Sequence, residues 1–186
     1  MRSVSGGPAL LEQAALYALR TLSAVTGDDL AAPTPCTAWD LRALLDHLAD
    51  SADALTELVT THRMAPTEDQ VEDDPIAAVR RRTMSLIGAC TTAGQADVLC
   101  QIGDRVLPAG TAAGVGAIEL AVHGWDIGRA CGAERPVPDS LATVLRELAG
   151  VVVPPNARWP EFSLPVAVEP LASASDQLVA YLGRRP

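Results

Sequence analysis

Residues suited to binding a cation occur in two short stretches. In GAIELAVHGWDIGRA, residues 116–130, Glu119 sits among Ile118, Leu120, Ala121 and Val122, and His123 follows four positions later. Residues four apart share one face of a helix. The apolar stripe of this segment includes Val115, Ile118, Val122 and Ile127, so the acid and the imidazole are expected on or beside the face turned to the core. A buried carboxylate without a partner costs several kcal/mol even after relaxation, and glutamate is almost never fully buried unless paired. An arginine, a protonated His123 or a metal cation would each neutralise Glu119. Taken alone, the spacing favours a Glu–His hydrogen bond at the edge of the core.

The second stretch, LRALLDHLADSA, places His47 three residues after Leu44 and beside Leu48, Ser51 and Leu55 in helical projection. That is an inward or half-inward position on a different helix. A lone histidine there is more often a boundary residue than a ligand. Two histidines and a glutamate converging from two helices form a more specific donor set. Imidazole nitrogen with carboxylate oxygen suits Zn²⁺, and also Fe²⁺ or Ni²⁺. Three protein ligands leave a coordination position open, as in catalytic rather than structural sites.

Other residues near these motifs have weaker claims. Arg80, Arg81 and Arg82 are consecutive and cover much of a helix circumference, so one could face a metal cavity and clamp an anion. A solvated basic face is the better reading for at least two of them. Asp126, three residues after His123, could orient a ligand imidazole or hold the neighbouring loop. Trp39 and Trp125 read as packing residues, and Trp159 as a lid over the site. His62, beside Arg63, is expected to face a helix C-terminal dipole and has no chemical role. Cys36, Cys90, Cys100 and Cys131 are far apart, with no C-x-x-C pair, and read as reduced, mostly buried thiols.

The elements that must carry these residues are helical. Aromatics are only 3% of the chain while Ala and Leu abound, a bias toward helix. Helical periodicity predicts four long helices. The first covers about 8–26, with Leu11, Ala15, Leu19 and Leu22 on one stripe, and the second runs from a Thr37 cap, with Asp40 three residues on, to about His62. The third opens at Asp74-Pro75 and runs to about Thr92, and the fourth covers about Thr111 to Cys131, closed by Gly132. Two short apolar runs flanking Gly103-Asp104 predict a β-hairpin. Shorter helices follow, one opening at Pro138-Asp139 and stopping at Gly150, and a last one from about Ser173 to Leu182. The fold class is mainly all-α: a four-helix bundle with a small hairpin and extra C-terminal helices. The domain reading is one bundle over 1–186, with 133–186 as an extension packed on it.

Composition narrows the partners. The 186 residues suffice for a core without a metal staple, so a metal here would serve chemistry. The net charge is −9 and there is no lysine; an acidic surface disfavours nucleic acid and anionic membranes. No stretch approaches the roughly 18 apolar residues of a membrane span, and the N-terminal segment reads as an amphipathic helix rather than a signal peptide. The expected location is the cytoplasm. The expected partner is a small-molecule substrate or thiol, and a homodimer is compatible with a bundle.

Longer motifs carry a family resemblance. APTPCTAWDLRALLDHLADS resembles the signature PTPCTxWxVRxLxxHL of a large group of DinB-like proteins, ELAVHGWDIGRACG resembles xxxVHGWDLARATG, and LVAYLGRRP is similar to the ending LLALLGRDP. The group resembles the metal-binding domain of mycothiol-dependent maleylpyruvate isomerase, a DinB/YfiT-like four-helix bundle. The resemblance implies that His47 on the second helix, with Glu119 and His123 on the fourth, binds a divalent metal, with zinc the leading ion and nickel or iron the alternatives. It further implies mycothiol as a thiol cofactor and an activity of the thiol-transferase or isomerase type on a small electrophile. A non-catalytic metal- or thiol-binding module, a metal-independent bundle with Glu119 paired to an arginine, and a natural-product tailoring isomerase or lyase on the same fold are the competing functions.

Overall fold

The computed structural model describes residues 6–37, 39–64, 73–93, 98–153, 158 and 163–186. Trp159, expected as a lid, lies outside the described residues. The described residues form six α-helices: α1 (Gly7–Leu22), α2 (Leu41–Thr61), α3 (Pro75–Thr92), α4 (Ala109–Ala130), α5 (Asp139–Val152) and α6 (Ala174–Tyr181). Three short strands accompany them: β1 (Arg63–Met64), β2 (Leu99–Ile102) and β3 (Arg105–Pro108). The protein is mainly all-α with a small sheet, as expected. No helix among the described residues is long and apolar enough to cross a membrane.

Side chains cap three of the six helix starts. Asp74 caps α3 by accepting the Ala77 amide at 2.9 Å, with Pro75 in the first turn. Ser173 caps α6 by accepting the Asp176 amide at 3.0 Å. At α2 the cap is Asp40, which accepts the Ala43 amide at 2.9 Å, and not Thr37. Ahead of it the Thr34 hydroxyl donates to the carbonyls of Cys36 and Trp39, and Pro33 bridges to Asp40. The first helix stops at Leu22, earlier than periodicity suggests; the Thr26 amide and hydroxyl both donate to the Asp29 carboxylate across a 3₁₀ turn at Gly27–Asp29. The helix α5 runs through Gly150 to Val152.

In the bundle, α1 packs on α4 and α3, and α2 packs on α3 and α4. The close α1–α4 contact depends on glycine: a Cβ at Gly7 would lie 2.4 Å from the Gly110 carbonyl oxygen, and one at Gly124 would lie 3.0 Å from the Tyr17 ring. With α1, α2 and α5 all against it, α4 is buried almost throughout. Val115, placed on its apolar stripe by sequence, is instead 43% exposed.

The hairpin β2–β3 forms with Gly103-Asp104 at its turn, as expected. The strand β1 has no signature in the sequence; it pairs in parallel with β2, Arg63 opposite Gln101. His62 adopts a left-handed conformation (φ 58°) as the C-cap of α2 and is exposed. Beyond α4, α5 packs on α4 and α6 on α5. The guanidiniums of Arg146 and Arg158 lie 3.8 and 4.9 Å from the ring centroid of Tyr181 on α6.

Candidate metal centre

His47 comes from the second turn of α2, and Glu119 and His123 from the middle of α4. The structure brings all three together. His47 Nε2 lies 2.6 Å from Glu119 Oε1, and His123 Nε2 lies 3.2 Å from the same oxygen. One donor atom from each residue can be chosen so that all lie within 4.8 Å of one another. The imidazole centroids are 5.3 Å apart, nearly perpendicular. Among the described residues the ionic partners of Glu119 are these two histidines and not an arginine.

Each side chain is held from behind. His123 is buried. Its Nδ1–H faces Asp126 Oδ2 at 3.0 Å, which leaves Nε2 directed at Glu119. Asp126 is fully buried and accepts a second bond from Arg184 Nη2 at 3.0 Å, with Arg184 Nε 3.4 Å from its other oxygen. The two readings of Asp126 therefore merge: it orients the imidazole and also anchors the C-terminal segment. The Trp39 ring lies 4.4 Å from His47 and 5.8 Å from His123, so it packs directly against both imidazoles. Trp125 is buried, with the Arg129 guanidinium 5.4 Å from its ring.

Electrostatics show what the cluster demands. Burial works to raise the Glu119 carboxyl, but the charge and hydrogen bonds of His123 and His47 outweigh it and hold the carboxyl well below its usual range. Burial works to lower His123, yet the Glu119 charge and the Asp126 hydrogen bond raise it to about 9. An imidazole hydrogen-bonded to carboxylates at both nitrogens keeps both protons. The cluster thus requires a positive charge at its centre, supplied by a proton on His123 or by a metal ion.

The donor set fits a metal. Two imidazole nitrogens and a carboxylate oxygen form a borderline-soft set suited to Zn²⁺, Ni²⁺ or Fe²⁺. The Asp126–His123 bond provides the outer support that ligand histidines ordinarily have. The His47 and Glu119 side chains are 35% and 32% exposed, so the cluster opens outward instead of being sealed in the core. It opens beside a cleft of about 400 Å³ between α2, the strands and α4, where Leu55, Met64, Ile102, Leu107 and Val115 line the wall and Glu119 lies at one end.

The remaining candidates sit elsewhere. Arg80 and Arg81 are exposed on α3, the helix that packs on α1 and α2. Arg82 is buried and pairs with Asp50 at 2.8 Å and Asp53 at 3.2 Å on α2. None of the four cysteines forms a disulfide; Cys90 and Cys100 are buried, and Cys36 and Cys131 half-buried. Burial pushes the Cys90 thiol up to about 11, so it is no nucleophile at neutral pH. Arg184 is the functional-site residue that sequence reasoning misses. Its signal is present in the C-terminal motif, but nothing in the motif names Asp126 as its partner.

The bundle agrees with the comparisons to known proteins. The family model for the mycothiol maleylpyruvate isomerase N-terminal domain matches residues 11–128, a span containing all three donors. The chain belongs to this family. Two relatives from Mycobacterium tuberculosis are each 27% identical over 185 residues, covering 95% of this chain and 97% of theirs: uncharacterized protein MT0763 of strain CDC 1551 / Oshkosh and uncharacterized protein Rv0738 of strain ATCC 25618 / H37Rv. No solved structure matches the chain.

Proposed function

We propose that His47, Glu119 and His123 bind a divalent metal, zinc first and nickel or iron as alternatives, and that the protein is a metal-dependent thiol S-transferase or isomerase of the mycothiol-dependent type. The observation that supports this reading most is the convergence of three donor atoms within 4.8 Å from two helices. When bound, such an ion presents a thiol as its thiolate, whose reversible addition to an unsaturated electrophile isomerises it and whose addition with departure of another group transfers the thiol.

The chain's own residues supply the setting. Asp126 holds the His123 Nδ1 proton, which keeps Nε2 available as a ligand. Trp39 restrains both imidazoles. The apolar cleft wall excludes water from one side of the centre and favours a small organic substrate. Arg80 and Arg81 stay as candidates for anion binding, with exposure that suits contact with solvent more than with the centre.

The partners proposed are a small thiol and a small electrophile in the cytoplasm, with no nucleic acid or membrane; a homodimer is compatible with this reading. The family match ends at residue 128, which favours as a second reading a non-catalytic metal- or thiol-binding module, or a tailoring isomerase or lyase on the same fold. Elemental analysis of protein purified without a histidine tag is the first test. About one equivalent of metal, lost in His123→Ala, supports the centre, and full occupancy in that variant refutes the ligand assignment. Mycothiol titrated into the metal-loaded protein then separates the readings: turnover of maleylpyruvate supports the enzyme, and binding without turnover supports the module or another reaction.

A further inference from the structure

The cleft beside Glu119 has a charge pattern that the metal centre does not explain. Among the described residues lining it, Arg105 is the only cation and Glu119 the only acid. Arg105 and Leu107 are two apart on β3, so they share one strand face, and both line the cleft, while Val106 between them is 65% exposed. Among the described residues the Arg105 side chain has no ion pair or hydrogen bond. The wall between the two charged ends is apolar, with Leu55, Met64 and Ile102 supplied by three different elements. The exposed Arg105 guanidinium at the edge of an apolar cleft of a size suited to small molecules is complementary to an anionic head on an apolar body.

We infer that this cleft binds an organic monoanion whose carboxylate or similar head is held by Arg105 and whose apolar body lies along α2 and α4 toward Glu119. Arg105 is then a residue that selects the substrate. The metal-centre reading is needed only for the claim that the far end of this ligand is the end that reacts; the anion site stands on the cleft itself.

Calorimetry on the zinc-treated full chain, with octanoate and octanamide as probes, tests the assignment. These probes share a chain length and differ in charge. Octanoate should bind more tightly than octanamide, by about fivefold, the upper range for a solvent-accessible charge pair. Arg105→Met should remove that preference and leave octanamide binding unchanged, while Arg105→Lys should keep most of it. Ala54→Phe, which fills the cleft wall, should weaken both probes, with circular dichroism confirming the fold. Equal binding of the two probes, a preference that survives in Arg105→Met, or no binding of either overturns the proposal. Repeating the titration after chelation separates the two readings. A preference that disappears only with the metal places the carboxylate on the ion and removes Arg105 from the role. A preference that needs Arg105 and persists after chelation upholds the anion site independently of the centre, which the elemental analysis tests by itself.

Discussion

At the scale of single residues, a metal ion bound at the proposed centre would compete with a proton. His123 is raised from 6.5 to about 9 by Glu119 and Asp126. In metal-free protein its ion pair stabilises the fold fully below pH 6.5, where the unfolded chain is also protonated, and that stabilisation is lost as pH rises through about 9. Metal binding has the opposite sign, since the ion must displace the proton. Between about pH 6.5 and 8.5 the melting temperature of chelated protein should therefore fall, while the increment produced by added Zn²⁺ should grow, with affinity rising about tenfold per pH unit for one displaced proton. A zinc increment that is flat across this range would show that His123 is not a ligand. Substitution makes the same point without pH. Glu119→Gln should keep the fold and weaken metal retention, because the shape is kept and the ligand charge is lost. Asp126→Asn should cost about 10- to 100-fold in metal affinity, the usual effect of losing the partner behind a ligand histidine; unchanged zinc affinity by competition with a chromophoric chelator would remove Asp126 from that role.

At the scale of elements, two glycines test how the bundle positions α4. A Cβ at Gly7 would meet the Gly110 carbonyl oxygen, Cα and carbonyl carbon at 2.4, 2.7 and 2.9 Å. That obstacle is backbone and cannot rotate away. Gly7→Ala should destabilise by about 1–3 kcal/mol, the range for overpacking. Gly88 is the matched control: it is exposed within α3, and a Cβ there would meet nothing within 4 Å, so Gly88→Ala should stabilise by about 0.5–1 kcal/mol. Urea melts of the two variants should move in opposite directions, and a neutral Gly7→Ala would mean that α1 and α4 are less tightly held than this contact requires. The elements also show what sequence can and cannot reveal. The start of α3 is legible because Asp74 and Pro75 act within one turn. The start of α2 falls a few residues later than the sequence suggests because Thr34, outside the helix, ties down the carbonyls of Cys36 and Trp39 and leaves Asp40 to cap. The strand β1 is invisible in sequence because its two residues become a strand only by pairing with β2, far along the chain. Burial on all sides explains why the α4 stripe does not separate Val115 from its buried neighbours.

At the scale of the whole molecule, the candidate centre is legible in its donors and illegible in its support. His47, Glu119 and His123 announce themselves by residue type and helical position, whereas Arg184 reaches Asp126 across 58 residues of sequence, a pairing that only the folded chain creates. This contact ties the C-terminal segment to the centre: Arg184 neutralises the buried Asp126, and Asp126 orients His123. Removing one partner of a buried ion pair costs about 3–5 kcal/mol, and His123, which stays beside Asp126, places the loss at the low end. Arg184→Leu should therefore destabilise by about 3 kcal/mol, a fall of roughly 6–12 °C in melting temperature for a chain of this size. Arg184→Lys should recover part of the loss, since it keeps the charge but not the two-nitrogen contact. The double variant Asp126→Asn with Arg184→Leu should be more stable than Arg184→Leu alone, as the stranded charge is gone. A melting temperature unchanged in Arg184→Leu, or a double variant that loses the sum of the single effects, would show that the C-terminal segment stands apart from the centre.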